Sequence, residues 1–258
     1  MTRSIRIFIL PTVLIAFAAV GLAQKHNITS AQIRAEIQDK IYHAHIFQHG
    51  NVQVAYANGV ATLTGSVDSI GVKMDAERAA RKVDEVNQVV DNITVNLGDT
   101  SVRSVLNQAR KSIILYPFYT IYDHIVLRYQ TGDLTVGGQV TDPFKKSDIG
   151  NFLSHIPGVA ELTNDLQVLP VSQYDNELRL VIARAIYDDP YFINYRNQPL
   201  PPIHIIVDNG NVTLYGVVNS PMDKEKAGMD ARSAATFFSF KNDLRVEHEQ
   251  APGAGNRG

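Results

Sequence analysis

The sequence has 258 residues, of which 45% are hydrophobic and 19% charged, with a formal net charge of −2 and no cysteine. That balance excludes wholesale disorder and nucleic-acid binding driven by bulk charge. The missing cysteines exclude disulfides and a lipid-modified N-terminal thiol, so stability has to come from packing.

The chain begins with Arg3 and Arg6 ahead of an apolar run from Ile7 to Leu22, broken by Pro11, with small residues at Gly21 and Ala23. This predicts a secretory signal over 1–23, cleaved before Gln24; an uncleaved anchor would need a longer unbroken run. Losing Arg3 and Arg6 moves the formal charge from −2 to −4.

Thr29 and Ser30 then offer a helix cap, and Ile33, Ile37 and Ile41 recur at helical spacing behind them. Val52, Val54 and Tyr56 alternate up to Asn58-Gly59, and Ala61, Leu63, Gly65 and Val67 alternate away from it, which predicts a hairpin on a positive-φ turn. A second helix follows over 72–83, with Ala76, Ala80 and Val83 on its apolar face, and a last strand carries Val89, Ile93 and Val95. The order is helix, strand, strand, helix, strand.

The hairpin pattern recurs. Gly59-Val60-Ala61-Thr62-Leu63-Thr64-Gly65-Ser66-Val67 returns from Gly132 to Val140 and again from Gly210 to Val218, at spacings of 73 and 78 residues. These are domain spacings rather than solenoid spacings. The core positions of every element transfer: Ala76, Ala80 and Val83 become Ile149, Leu153 and Ile156, then Ala227, Ala231 and Ala234. First helices are predicted over 101–115 and 174–187. Val72 maps onto Lys145 and Asp223, which predicts that this position is exposed in the later copies. The five residues of the longer spacing place Gln198-Pro199-Leu200-Pro201-Pro202 in a stiff extended loop. The predicted fold is therefore α+β: three tandem αββαβ units over 27–99, 100–170 and 174–250, each a three-stranded mixed sheet covered by two helices. A flexible tail follows over 251–258.

Nothing resembles a reaction centre. The repeated Gly59, Gly65, Gly132, Gly138, Gly210 and Gly216 lie in hairpins rather than between a strand and a helix, so they are structural and not phosphate-binding. His43, His45 and His49 cluster without a predictable further metal ligand, and acid pairs such as Asp84-Glu85 and Asp188-Asp189 lack a partner base. No catalytic residue, metal or cofactor is assigned. The second unit balances six bases against six acids where the first has six against nine. Its Arg103, Arg110, Lys111, Lys145 and Lys146, with Tyr116, Phe118, Tyr119 and Tyr122, form the best candidate for a lipid-binding patch: rings dip among headgroups while cations neutralise phosphates. The competing reading makes those aromatics filler between packed units.

The Gly-x-Val-Thr-Leu-x-Gly-x-Val hairpin, the closing strand Val89-Val90-Asp91-Asn92-Ile93-Thr94-Val95, the Ile156-Pro157-Gly158-Val159 approach to the second unit's last strand and the αββαβ order together resemble the BON (bacterial OsmY and nodulation) domain family. The third copy departs from it at Phe237-Phe238-Ser239-Phe240. The resemblance implies a non-enzymatic periplasmic or envelope protein. The same resemblance implies binding of anionic phospholipid or holding of unfolded envelope proteins under osmotic or envelope stress, or else a scaffold for another envelope protein.

Overall fold

The computed structural model describes residues 29–247. The predicted signal peptide and the tail over 251–258 lie outside these residues.

The first unit comprises α1 (Ser30–His43), β1 (Gly50–Ala57), β2 (Val60–Val67), α2 (Ile70–Ala80) and β3 (Gln88–Val95). The second follows with α3 (Val102–Ile114), β4 (His124–Gln130), β5 (Asp133–Val140), α4 (Pro143–Ser154) and β6 (Glu161–Val168). In the third come α5 (Gln173–Tyr187), a short α6 (Ile193–Arg196), β7 (Ile203–Asp208), β8 (Asn211–Val218), α7 (Pro221–Ala234) and the strands β9 (Ser239–Asn242) and β10 (Arg245–Val246). Hydroxyl caps start the first helix of each unit: Thr29 accepts from the Gln32 amide, Ser101 from Ser104 and Ser172 from Asp175.

Each sheet has its hairpin antiparallel and its closing strand parallel to the hairpin's second strand. The hairpins turn on Asn58-Gly59, Thr131-Gly132 and Asn209-Gly210, all with positive φ, as two-residue loops matched to strand twist require. Gly65, Gly138 and Gly216 also have positive φ, and a Cβ there would collide with the carbonyl of Asn51 or His124 on the partner strand, or of Pro202 just ahead of it.

One polar device recurs in all three units and fastens the second helix to the sheet. Asp91, Asn164 and Asn242 each accept from the amide two residues on. Asn164 and Asn242 also donate to the carbonyls of Lys146 and Lys224, while Lys73, at the equivalent helix position, donates to the Ile93 carbonyl.

Three separate cores result. The first is built on Ile33, Ile37, Ile41, Leu63 and Ile93, the second on Val105, Leu134, Ile149, Leu153 and Leu166, and the third on Ile182, Ile186, Phe192, Ile203 and Leu214. Three details differ from the sequence reading. Lys145 and Asp223 are buried, only 4% and 8% exposed, because each has a partner that the first unit lacks. The third closing strand is divided into β9 and β10, although their pairing with β8 keeps one register, with Leu214 opposite Asn242 and Val217 opposite Arg245. The longer segment before the third hairpin is also not loop alone: a 3₁₀ turn over Pro190–Phe192 and α6 precede the proline-rich stretch and put Phe192 and Tyr195 into the core.

Neighbouring units touch through backbone as well as side chains. The Gly158 amide donates to the Asp68 carbonyl and the Ile70 amide to the Val159 carbonyl, both at 2.8 Å. Ile70 packs on the second core, and His155 Nε2 lies 2.9 Å from Asp75 Oδ2. Between the second and third units, the Ile205 amide donates to the Ile121 carbonyl at 2.7 Å. His204 Nδ1 donates to the Asp123 carbonyl at 2.6 Å, and the rings of His124 and Tyr215 stack at 3.9 Å and 4°.

Candidate functional site

The basic and aromatic residues of the second unit converge on the segment between α3 and β4, but they divide into three groups with different surroundings. The first is a buried polar hub. Asp123 is wholly inaccessible, and its carboxylate accepts from the Thr120 amide and hydroxyl and the Thr141 amide, each at 2.9 Å. Lys145 Nζ reaches the same carboxylate at 2.8 and 3.1 Å and donates to Thr141 Oγ1 at 2.7 Å. All three ammonium donors are therefore used inside the protein. Lys145 is not a surface charge, and this corrects its place in the patch: a loop acid far from it in sequence draws the side chain inward.

The second group lies in the seam between units. Ile121 and Tyr122 pack against the third core, and the Tyr119 ring lies 5.6 Å from that of His204. Burial pushes the Tyr119 hydroxyl well above the phenol range and raises that of Tyr122. These two aromatics fill the joint.

The third group is exposed and sits at the end of α3. Phe118 is 55% exposed and meets the exposed Phe144 edge-on at 5.4 Å. Ile114 and Leu115, 60% and 67% exposed, end the same helix turn. Arg110 and Lys111 are exposed on the preceding turn. Tyr116 is partly covered, with its hydroxyl donating to Asp148 Oδ2 at 2.6 Å and its ring against Phe118 and Phe152. Arg103 is exposed but lies in the first turn of α3, about 12 Å along the axis from Lys111. Lys146 is half-buried, with its carbonyl engaged by Asn164.

Ile114, Leu115 and Phe144 were missed from the sequence. Their signal was present, since Ile114 and Leu115 continue an apolar run past the core position Ile113 and so cannot all share its buried face.

The histidines of the first unit are held separately. His49 Nδ1 lies 2.9 Å from Asp68 Oδ2 and His43 Nε2 3.4 Å from Asp39. His45 stands at φ 58°. Among the described residues no group of three His, Cys, Asp or Glu side chains is arranged to hold a metal ion, and no helix is long and apolar enough to cross a membrane.

The sequence profile of the BON domain family matches residues 29–96 and 175–246, the first and third units. Among curated proteins, the chain is 36% identical over 63 residues to an uncharacterised protein in the gshII 5′ region of Anaplasma centrale, covering 23% of this chain and 42% of that protein. It thus spans less than half the length of that relative. Among solved structures, the C-terminal domain of CdsD, a structural protein of the type III secretion system of Chlamydia trachomatis, aligns at 15% identity over 81% of this chain and 96% of that one, with a TM-score of 0.24. A second CdsD structure aligns at 16% identity over 82% and 92% of the two chains, with a TM-score of 0.25. At these scores neither alignment bears on function.

Proposed function

The chain belongs to the BON domain family, and from that premise we propose that it is a non-enzymatic, periplasmic envelope protein of three BON units that attaches to anionic phospholipid surfaces. The middle unit, over 100–170, is in this reading a divergent member that keeps the αββαβ order. The observation that carries the lipid assignment is the exposed end of α3. Ile114, Leu115, Phe118 and Phe144 present apolar surface beside Arg110 and Lys111. Large apolar side chains left in water beside cations suit the headgroup boundary, where burial of the former and phosphate contact by the latter add together.

Vesicle flotation of the full chain tests this. More protein floats with vesicles containing phosphatidylglycerol than with phosphatidylcholine alone. Lys111→Glu weakens the association about fivefold, near 1 kcal/mol for a basic residue at such a surface. Leu115→Ser combined with Phe118→Ser weakens it on both lipids. Equal flotation on the two lipids by the unaltered chain overturns the reading.

A further inference from the structure

The three hairpins present the same outer edge, and among the described residues that of β7 is largely closed. In β7 the turn-closing pair Asp208 and Asn211 fixes the alternation, so the backbone groups of Ile203, Ile205 and Val207 point away from β8. All three residues have partners. The Tyr187 hydroxyl donates to the Ile203 carbonyl and accepts from its amide, Ile121 takes the Ile205 amide, and Arg179 donates to the Val207 carbonyl.

In β4 the corresponding pair is Gln130 and Asp133, which turns the N–H and C=O groups of Ile125, Leu127 and Tyr129 outward. β4 is an edge strand, and no backbone bond outside its sheet reaches these groups among the described residues. Ile125 and Leu127 border a cleft of about 590 Å³ between α3 on one side and the third unit on the other. Its apolar walls include Ile114, Val126 and Val217, each at least 40% exposed. Arg110 and Arg245 flank it, neither forms an ion pair among the described residues, and no carboxylate lines it.

We propose that this cleft binds an extended acidic segment of a partner protein, added as a further strand to the outer edge of β4 with its carboxylates on Arg110 and Arg245. Strand addition supplies the partners that the Ile125 and Leu127 backbone groups lack, and alternate aliphatic side chains fill the apolar walls. An acyl chain would fill the walls but satisfy none of the backbone groups, which favours a peptide over a lipid here. The cleft shares Arg110 and Ile114 with the exposed end of α3, whereas Ile125, Leu127 and Arg245 belong to the cleft alone.

The probe is a fluorescein-labelled heptapeptide, Glu-Val-Thr-Ile-Thr-Val-Glu, titrated into the full chain and followed by anisotropy. Saturable binding is expected, with new hydrogen-exchange protection at the Ile125 and Leu127 amides. N-methylation of alternate amides, Gln in place of both Glu residues of the peptide, and Arg245→Glu in the protein each weaken binding about tenfold or more. Flotation of Arg245→Glu on phosphatidylglycerol vesicles is unchanged. The proposal is overturned by no saturable binding up to ~1 mM, by equal affinity of the N-methylated or uncharged peptide, or by undiminished affinity of Arg245→Glu.

Discussion

Three equivalent positions at the start of the second helix hold Val72, Lys145 and Asp223, all buried, and they show how one backbone accepts opposite chemistries. Lys145 is neutralised by Asp123, while Asp223 accepts from the hydroxyls of Tyr191 and Tyr195, both at 2.7 Å. Removing one member of the ion pair strands the other in a site that water does not reach. Lys145→Met should therefore lower stability by about 3–5 kcal/mol in urea denaturation, far more than a surface lysine would. The histidines of the same joint set its pH response. Burial first, then the nearby His204 and Arg245, opposed by Asp243, holds His124 down to about 4 from its ordinary value of 6.5. Burial likewise lowers His204, against the pull of Asp123. The unfolded chain then binds more protons than the folded one below the ordinary value, so stability falls as pH drops from about 6.5 toward 4 and is fully present above that window. Urea midpoints at pH 7 and 5 should show the loss, and His124→Phe, which keeps a ring against Tyr215, should shrink it.

Among the elements, the hairpins distinguish two adjacent glycines. Gly138 has φ 113° and no room for a Cβ, whereas Gly137 beside it faces open space. Gly138→Ala should cost at least ~3 kcal/mol, and Gly137→Ala should fall within about 1 kcal/mol of neutral, both from thermal or urea unfolding. Such positions were legible in the sequence because their constraint is local: a two-residue turn and a close strand crossing demand glycine in every copy. Helix faces were legible for the same reason, as Ile33, Ile37 and Ile41 show. The burial of Lys145 and Asp223 was not, because their partners come from segments that differ between copies in length and composition. The α3 patch was half legible. Its cations and Phe118 could be found from composition, but the inward turn of Tyr119 and Tyr122 depends on the third unit lying against them.

At the scale of the whole molecule, the second unit covers part of the third unit's core as well as sharing a border with it. Ile121 and Tyr122 belong to one sequence unit and pack on the hydrophobic interior of the next. Tyr122→Ala should destabilise the third unit by about 2 kcal/mol, less than a fully buried aromatic because the ring is half-covered. Hydrogen exchange at the Ile205 amide should report it while the first unit's amides stay as protected as before. The closed edge of β7 depends on the same segment, and this makes the order of the units along the chain matter. Ile121 precedes the strand that it covers, so a polypeptide made N-terminus first exposes the cover before the strand exists, and the third unit is completed against a neighbour already in place. A permuted chain with the third unit in front would leave the Ile205 amide bare during synthesis, free to pair with the same strand of another molecule.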